Sequence, residues 1–398
     1  MSNEVLIAGA GIISAIGNNI PESLHAFERH QSGIKTAKHL TTRHQQEFPL
    51  GEVTLSNKQL AHHNGLDSRL SRTILLSYHA AKEALSSFPE SALQNFRTGF
   101  ISASTVGGMD KTEFFFENFL NDSSSGDLRN IMYHDCGKAT DYVAEKLKIK
   151  NFVTTISTAC SSSANAIMLA SRMIKSNQLD IVVAGGVDSL TKFTLNGFNS
   201  LMIVDREQCK PLDQNRNGLN LGEGAAYLVL INEKVQRKIN LSVLCKLSGY
   251  CNTNDSHHPT ALSDEGNGPY SAMLGALKMS GLQPSQINYI NMHGTGTQNN
   301  DSAEGKAIER IFHPEYPSLS STKSFTGHTL GASGAVEAVF SALAIKHNIV
   351  YPNFSFKEPI SGLNIIPEMK FRKQAEINHV LSNSFGFGGN CTSLVFSK

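Results

Sequence analysis

Short apolar runs alternate along the chain with longer segments whose apolar residues have helical spacing. Residues 97–105 and 179–189 read as short buried strands, and 219–232 as a pair of strands around a glycine turn. Apolar residues recur at helical intervals in segments 20–28 and 68–85, which predicts amphipathic helices there. Strands that alternate with helices in this way predict α/β layers with largely parallel sheets.

The second half of the chain repeats this alternation. Residues 241–255 read as strand-rich, 267–281 as an amphipathic helix, and 377–396 as two strands joined by a glycine loop. In both halves the buried strands end in glycine-rich loops that carry polar residues. We therefore expect two similar halves, residues 1–240 and 241–398, that meet at one site.

Composition narrows the class of protein. The 398 residues are enough for two core-bearing halves, and 40% hydrophobic and 17% charged content is ordinary for a folded protein. A net charge of +1 gives no reason to expect a protein whose surface binds nucleic acid or membranes in general. The six cysteines form no CxxC pair or zinc spacing and look like reduced thiols. Without signal-peptide features or a run of about 20 apolar residues, this composition predicts a cytoplasmic protein.

One cysteine occupies a position suited to nucleophilic chemistry. Cys160 lies between an apolar strand-like run and the helix-like run 164–174, and Ser161, Ser162 and Ser163 are natural capping residues. A helix N-terminus offers unpaired amides and the positive end of a dipole, which stabilise a thiolate. A lone cysteine in such a place is more often a buried packing residue, so the other loops decide the interpretation.

Three other loops share the position and the small residues of the cysteine loop. Each follows an apolar strand and contains small residues that permit close backbone approach. Ligands of open α/β sheets bind outside the carboxyl ends of the strands, so we expect these loops to converge with the cysteine loop. One Cys, two His and one Lys there predict a thiol-based acyl-transfer site. The four loops are TACSSS (158–163), NMHGTGT (291–297), STKSFTGHTLGASGA (321–335) and NSFGFGG (383–389).

These motifs, in this order, resemble those of the β-ketoacyl-[acyl carrier protein] synthases, the elongating type II ketosynthases of the thiolase-like superfamily. The resemblance extends from VLIAGAGIISAIG to SFGFGG, nearly the whole chain. It implies a thiolase-like αβαβα sandwich of two duplicated mixed five-stranded halves, working as a homodimer. It also implies decarboxylative Claisen condensation of an acyl thioester with malonyl-acyl carrier protein (malonyl-ACP), giving 3-oxoacyl-ACP without a metal or organic cofactor.

The resemblance assigns roles to the motif residues. Cys160 takes the acyl chain as a thioester, and the helix N-terminus keeps its thiol near the thiolate form. The backbone amides of Cys160 and Phe387 form an oxyanion hole. His293 and His328 bind the malonyl thioester carbonyl and stabilise the enolate through neutral Nε–H groups. Lys323 orients a histidine and its loop.

Other residues receive supporting roles from the same resemblance. Glu304 pairs with the motif lysine and closes a structural network. Thr295 and Thr297 hydrogen-bond the pantetheine arm of the carrier protein, and Phe385 packs near the nucleophile. Val106 matches the position that lines the acyl tunnel, where a β-branched residue limits chain length; an ordinary core position explains it equally well.

Two further sets of residues are candidates for binding outside the reaction centre, one for the carrier protein and one for a cation. Because ACP is acidic, we expect a basic patch at the tunnel mouth, although each member also reads as ordinary solvated surface. Some relatives hold a buried monovalent cation in a structural role. The candidates for the basic patch are Arg69, Arg72, Arg206 and Lys210. The candidates for the cation site are Asn291, Glu337, Ser382 and Asn383.

Several segments depart from the fatty-acid-synthase pattern. Residues 130–140 lack the usual Pro-Ser-rich sequence, and we expect His134, Asp135 and Cys136 to line the acyl pocket near the dimer interface. Asn220 stands where relatives have an apolar residue, and GFGGNCTS replaces the common GFGGTN. KFTLNGFNSLMIVD resembles ketosynthases of aryl-polyene pigment clusters. Fatty-acid elongation and polyene or polyketide elongation therefore both stay open.

Other functions are weighed against this one. A thiolase would use a second cysteine, for which Cys391 is the candidate, and an initiating ketosynthase would have an Asn in place of the second His. A cysteine protease explains neither the lysine nor the duplicated loops. A non-catalytic chain-length factor lacks the nucleophile, which Cys160 supplies here. A heterodimer with such a partner stays open beside the homodimer.

Overall fold

The computed structural model describes residues 4–89 and 91–398, and ten of its strands form one mixed sheet. The N-terminal half contains β1 (Val5–Ser14), β2 (Thr98–Ala103), β3 (Phe152–Ile156), β4 (Ile181–Asp188) and β5 (Gly224–Asn232). The C-terminal half contains β6 (Cys245–Asn254), β7 (Tyr289–Asn291), β8 (Ser318–Ser320), the separate short pair β9 (Ile349–Val350) and β10 (Arg372–Lys373), β11 (His379–Phe385) and β12 (Asn390–Ser397).

The order of the strands shows the duplication. The N-terminal strands lie in the order β3-β2-β4-β5-β1, and the C-terminal strands in the order β8-β7-β11-β12-β6. In each half the first two of these pairings are parallel and the last two antiparallel. β1 also pairs with β6 at Leu6–Lys246 and Ile7–Cys245. The two expected five-stranded halves are thus present, and this edge pairing makes them one continuous sheet.

Helices connect these strands and cover the sheet. They are α1 (Ile20–Glu28), α2 (Asn57–Asn64), α3 (Arg72–Ala84), α4 (Ala92–Asn95), α5 (Met109–Asn121), α6 (Cys136–Lys146), α7 (Ser162–Lys175), α8 (Lys192–Ser200), α9 (Glu233–Ile239), α10 (Asn267–Ser280), α11 (Gln298–Phe312), α12 (Lys323–Thr326) and α13 (Ser333–His347). None of the helices in the described ranges has the length and apolar character needed to span a bilayer.

Two of the helices lie between the two halves. α7 packs on β2, β4 and β5, and also on β6 and β12 of the other half. α13 contacts β11 and β12 and, from the other side, β1, β4 and β5. Every residue from 333 to 345 is buried, which is the expected state of a helix that is apolar on all faces. α7 and α13 therefore form a central layer.

Other helices cover the outer faces of the two five-stranded units. α3 packs on β1 and β5, and α6 on β2 and β3, whereas α10 packs on β6 and β12 and against α11. Separate hydrophobic clusters fill the central layer and each outer interface. The five layers have the αβαβα order, so the predicted fold class is confirmed.

The expected strand pair in 219–232 is wrong: β5 is a single strand that begins at Gly224. The segment before it forms isolated bridges instead, Leu221 with His328 and Gly222 with Gly51, because it crosses to the loop that precedes α13. The boundary between residues 1–240 and 241–398 stays a prediction.

Candidate active site

Cys160 lies in the tight connection between β3 and α7. Ala159 before it has φ of 52°, in the left-handed region that a non-glycine residue adopts only at an energetic cost. The hydroxyl of Ser162 donates to the carbonyl of Ala159 (2.5 Å) and accepts the N–H of Thr158 (2.7 Å). These bonds fix the turn, and Cys160 lines a cavity of about 370 Å³ at its tip.

The structure brings Cys160, His293 and His328 together. The cysteine sulfur and one ring nitrogen from each histidine all lie within 4.8 Å of one another. His293 follows β7, and His328 follows α12. The N-terminal half therefore supplies the sulfur, and the C-terminal half supplies both imidazoles.

Donors on the neighbouring turn fix the tautomer of His328. Its Nδ1 accepts the N–H of Leu330 (3.0 Å) and lies 3.1 Å from the hydroxyl of Ser333. Because Nδ1 accepts, the proton of the neutral ring is on Nε2. Burial, and then the nearby charge of Lys323, lowers the pKa of His328 to about 3. The ring is therefore a neutral Nε2–H donor at neutral pH.

Lys323 contacts His293 at two atoms. Its Nζ donates to the His293 carbonyl oxygen (2.5 Å) and lies 3.3 Å from Nδ1. Burial and this charge hold the pKa of His293 well below its usual range, so its neutral ring also carries the proton on Nε2. Lys323 is ion-paired with Glu337 of α13, and both side chains are 2% exposed. The lysine thus fixes the orientation of one histidine.

Glu304 does not pair with the motif lysine, contrary to the expectation. Its carboxylate accepts the N–H groups of His293 and Gly294, both at 2.9 Å, and the side-chain amide of Asn383 at 3.0 Å. The lysine's partner is Glu337 instead, which lies on the central helix. Glu304 therefore holds the backbone of the histidine loop, and burial raises its pKa to about 7.

The loop between β11 and β12 lies directly against the nucleophile. The backbone N–H of Phe387 hydrogen-bonds the Cys160 thiol. A Cβ on Gly386 would lie 2.9 Å from the carbonyl of Thr158 and 3.1 Å from the Cys160 nitrogen, so a side chain there would force the loop away. The ring of Phe387 stacks on Phe198 with centroids 5.8 Å apart. This geometry places one of the two predicted oxyanion donors.

The structure contradicts the expected resting thiolate of Cys160. Burial raises the pKa of its thiol to about 11, even though the charge of Lys323 and the Phe387 N–H both lower it. The helix that follows begins two residues later, at Ser162. Desolvation therefore outweighs the Lys323 charge and the Phe387 N–H, which favours the neutral thiol in the free enzyme.

The cavity also contains three residues predicted to contact substrate. Thr295, Thr297 and Phe385 line it, and the Phe385 ring lies 5.7 Å from that of His293. Sequence reasoning missed the wall formed by residues 260–262, for which the polar stretch after β6 was the available signal.

Other predicted pocket residues lie outside this cavity. Val106 packs in a hydrophobic cluster, and its N–H donates to Asp188 (2.9 Å), so it is a core residue here and does not line the space around Cys160. His134, Asp135 and Cys136 do not line it either. They follow a short 3-10 turn, and the His134 ring faces a threonine hydroxyl at 3.0 Å.

The predicted basic patch is only partly at the surface. Arg72 is wrong as a docking residue: it is 7% exposed and paired with the fully buried Glu223, so no partner reaches it. Arg69 is exposed beside α5 but does not line the cavity. Arg206 and Lys210 are accessible and lie on the segment that continues from the cavity wall.

Two of the four residues of the predicted cation site have free oxygen atoms that fit a cation. Asn291 Oδ1 and Glu337 Oε2 are buried and have no hydrogen-bond partner among the described residues. Two such acceptor oxygens fit a monovalent cation. Ser382 is aligned with Asn291 on the neighbouring strand, but the Asn383 side chain is already bonded to three other residues. The oxygens of Asn291 and Glu337 would therefore hold the ion.

Asn220, which departs from the family pattern, has a clear structural role. Its carbonyl accepts the N–H of His328 (2.7 Å), and its Oδ1 accepts the N–H of Cys209 (2.7 Å). Its amide also donates to the carbonyl of Glu207 (2.9 Å). The backbone of Asn220 thus holds the histidine's backbone, and its side chain holds the segment that carries Arg206 and Lys210.

Comparisons with known proteins agree with this site. The chain matches the family described as "Beta-ketoacyl synthase, N-terminal domain" over residues 2–235 and "Beta-ketoacyl synthase, C-terminal domain" over residues 244–357. It is 30% identical to the 3-oxoacyl-[acyl-carrier-protein] synthase 2 of Coxiella burnetii, with 99% of this chain and 98% of that protein covered. The chain therefore belongs to the β-ketoacyl synthase family.

Two solved structures extend the comparison. "The ishigamide ketosynthase/chain length factor" superposes with a TM-score of 0.94 and 26% identity over the whole of both chains. The ketosynthase ApeO in complex with its chain length factor ApeC, from Xenorhabdus doucetiae, superposes with a TM-score of 0.86 and 29% identity, covering 99% of this chain and 98% of that chain. The expected ketosynthase class, within the acyltransferases, is confirmed.

Proposed function

We propose that this chain is a 3-oxoacyl-ACP synthase that elongates an acyl chain by decarboxylative condensation with malonyl-ACP. The observation that carries the proposal is the arrangement of Cys160, His293 and His328, with sulfur and ring nitrogens within 4.8 Å of one another. Both imidazoles are neutral Nε2–H donors because their Nδ1 atoms face other groups. The names of the curated relatives support the same reaction.

The first step loads the acyl chain on the nucleophile. The Cys160 sulfur attacks the acyl thioester of ACP, a new carbon–sulfur bond forms, and the bond to the pantetheine sulfur breaks. The thiol proton ends on the released pantetheine thiol. The Phe387 N–H, which faces the sulfur, is placed to stabilise the carbonyl oxygen as negative charge develops on it.

The second step uses the two histidines. The malonyl thioester carbonyl lies against the Nε2–H groups of His293 and His328, which stabilise the enolate as the carbon–carbon bond to the carboxylate breaks and carbon dioxide leaves. The enolate carbon attacks the acyl carbonyl. The tetrahedral intermediate collapses, the 3-oxoacyl-ACP is released, and the Cys160 sulfur regains a proton from solvent.

The cavity accommodates the arm of the carrier protein. Thr295 and Thr297 line it, with their hydroxyl oxygens 2.9 Å apart, and are placed to hydrogen-bond pantetheine amides. Arg206 and Lys210 are the basic residues next to this entrance that remain accessible, and we propose that they contact acidic ACP. Six unpaired cysteines agree with reduced thiols, and we propose a cytoplasmic location.

A large apolar surface supports assembly into a dimer. None of the thirteen residues of α5 is buried, and this helix packs against α8 and the turn at 128–133. We propose a homodimer through this surface, with a heterodimer containing a chain-length-factor-like subunit as the alternative. Its most exposed apolar residues are Phe114 (61%), Phe116 (53%), Leu120 (68%), Leu128 (70%), Met132 (65%) and Phe193 (65%).

The pathway is the least constrained part of the proposal. Both structures, at 26% and 29% identity, are of a ketosynthase with a chain length factor, one of them the ishigamide pair. Together with the KFTLNGFNSLMIVD segment, they favour polyene or polyketide elongation over membrane fatty-acid elongation. The acyl group that loads most readily distinguishes the two pathways.

Intact-mass spectrometry tests the proposed function. The protein is incubated with acyl-ACPs of varied chain length, and malonyl-ACP is added afterwards. We expect a mass gain in the wild type and in Cys136→Ala, a half-buried control thiol outside the cavity, and none in Cys160→Ala. A 3-oxoacyl product must follow the addition of malonyl-ACP.

Other outcomes would contradict this assignment. Loading from acetoacetyl-CoA but from no acyl-ACP would favour a thiolase, although Cys391 is buried in a hydrophobic cluster and does not line the cavity. Acylation that persists in Cys160→Ala would show that another group is the nucleophile. No loading at all by the purified chain, but loading after co-expression with a partner, would replace the homodimer with the heterodimer.

A further inference from the structure

Asn390 ends the loop that carries Phe387, and its side chain lies at the centre of a hydrogen-bond network. Its Oδ1 accepts from the hydroxyl of Ser161 (2.6 Å) and from the side-chain amides of Asn165 (2.9 Å) and Asn252 (2.8 Å). Its backbone carbonyl accepts the N–H of Gly386 (2.8 Å), which closes the loop on itself. One residue therefore joins both ends of this loop to other parts of the fold.

The same network reaches the nucleophile turn. Asn165 of α7 donates its second amide hydrogen to the hydroxyl of Thr158 (2.9 Å), and Ser161 also lies 2.7 Å from the Thr158 carbonyl. Thr158 and Ser161 are two residues before and one residue after Cys160. The side chain of Asn390 is thus connected to the chain on both sides of the nucleophile.

The opposite end of the network is anchored in the sheet. Asn252 of β6 donates to the Thr392 hydroxyl (2.8 Å), and that hydroxyl donates to the Oδ1 of Asn165 (2.8 Å). Thr392 and Asn165 are buried, whereas Asn390 is only partly buried. The network therefore ends on two buried residues, and the central residue is accessible to substitution without opening the core.

We propose that Asn390 is a positioning residue that sets the distance between the Phe387 N–H and the Cys160 sulfur. The inference rests on the proposed function, in which that N–H stabilises the oxyanion at the acylated cysteine. It also gives a role to the departure GFGGNCTS noted in the sequence. No contact in the network involves His293 or His328, so the group acts on one of the two oxyanion sites only.

The physical reason is the geometric precision that such a donor requires. An N–H stabilises an oxyanion well only when it lies at hydrogen-bond distance from the position the oxygen takes in the transition state. Misplacement of a reacting geometry by about 1 Å costs up to roughly a hundredfold in rate. The loop contains three glycines in four residues, at 386, 388 and 389, which do not fix its conformation by themselves. The Asn390 network supplies that constraint.

The test compares acylation with decarboxylation. Acylation of Cys160 by saturated acyl-pantetheine thioesters from acetyl to decanoyl is followed by intact mass, and decarboxylation of malonyl-pantetheine by release of carbon dioxide. We expect Asn390→Ala to slow acylation by roughly ten- to a hundredfold and to leave decarboxylation within about twofold of wild type. Asn390→Asp, which keeps the acceptor oxygens, should restore most of the acylation rate.

Asn232→Ala is the matched control. Asn232 is a partly buried asparagine that caps α9 and bonds Asp180, far from the cavity, so its loss weakens the fold without touching the loop. We expect wild-type acylation from it at a temperature where it is folded. Wild-type acylation by Asn390→Ala, or an equal loss of both activities, would overturn the inference. Failure of the wild type to acylate would instead count against the proposed function.

Discussion

The two halves have the same strand order, but their corresponding loops differ in what holds them. In the N-terminal half, the loops after β2 and β4 are tied to each other. The carboxylate of Asp188, at the end of β4, accepts the Ser104 hydroxyl (2.7 Å) and the N–H groups of Thr105 and Val106 (both 2.9 Å) from the loop after β2. These two loops are therefore held against each other by one carboxylate.

In the C-terminal half, the corresponding loops after β7 and β11 are held from behind. Glu304 of α11 binds the backbone of His293 and Gly294 and the side chain of Asn383. The side chains of His293 and Phe385 are then left to face the cavity. The comparison teaches that a supporting carboxylate behind these loops leaves their side chains free to face the cavity, whereas one between the loops ties them to each other.

The largest expected effect comes from the buried ion pair of the C-terminal half. Lys323→Ala removes the ammonium from His293 and leaves Glu337 as an unpaired buried carboxylate. We expect malonyl-pantetheine decarboxylation to fall by more than about a hundredfold, because the histidine loses its fixed tautomer and orientation. The double variant Lys323→Met/Glu337→Gln should regain thermal stability but not decarboxylation. Recovery of both would show that the pair is only structural.

The buried ion pair of the N-terminal half provides the contrast. Arg72→Ala leaves the fully buried Glu223 without its charged partner, and we expect the free energy of unfolding to fall by about 3–5 kcal/mol. Denaturant titration measures this loss. Decarboxylation per folded molecule should stay at the wild-type level, since neither residue contacts the cavity. A specific loss of decarboxylation in folded protein would contradict the proposed difference between the halves.

The two supporting carboxylates can be compared directly. Asp188→Asn and Glu304→Gln each turn an acceptor oxygen into an amide that faces N–H donors, which should lower the free energy of unfolding by about 1–3 kcal/mol. We expect Glu304→Gln to reduce decarboxylation more than Asp188→Asn does. Glu304 bonds the His293 backbone itself, whereas Asp188 reaches the other histidine only through Gly331. Equal losses from both variants would remove the distinction.

A change of pH, which alters no residue, distinguishes the cysteine of the N-terminal half from the histidines of the C-terminal half. The pKa of Cys160 is raised to about 11 and that of His328 is lowered to about 3. Alkylation of Cys160 by iodoacetamide should therefore rise up to about tenfold per pH unit above neutrality, as the thiolate fraction grows. The histidines stay neutral above about pH 5, so the change in decarboxylation between pH 5 and pH 8 should come from Glu304, whose pKa is raised to about 7. The rate should fall as the pH drops through that value, because protonation weakens the carboxylate that accepts the His293 N–H. An alkylation rate that is already at its plateau at pH 7 would show that Cys160 is a thiolate in the free enzyme, as the sequence predicted.

Much of the site was predictable because the reactive residues lie in loops of unusual composition. Small residues, a Cys and two His after apolar strands indicate where backbones approach and where polar side chains converge. The family resemblance, and not composition, added Thr295 and Phe385, which line the cavity. The strand–helix alternation likewise predicted the layers, although not the edge pairing of β1 with β6, since two residue pairs leave no pattern in the chain.

The errors share one physical cause: each depends on a contact or on burial that the tertiary fold sets and the local sequence does not. Arg72 reads as surface until Glu223, 151 positions later, is placed against it. The lone acid in the apolar stretch SGAVEAVF, Glu337, is a usable signal for a buried ion pair. The family resemblance assigned the lysine's partner to Glu304 instead. The thiol's protonation depends on how completely the cavity excludes water, and Val106 depends on whether the wall behind it opens. Neither quantity is present in the local sequence.

The central layer has a consequence for how the chain folds. α7 and α13 are each enclosed by strands from both halves, and β1 is paired with β6. A fragment cut near residue 240 would expose an apolar face that the other fragment normally covers. The molecule should consequently unfold in one cooperative transition, and separately expressed fragments should gain structure only when they are mixed. The duplicated halves are repeats of architecture and not separate units of stability.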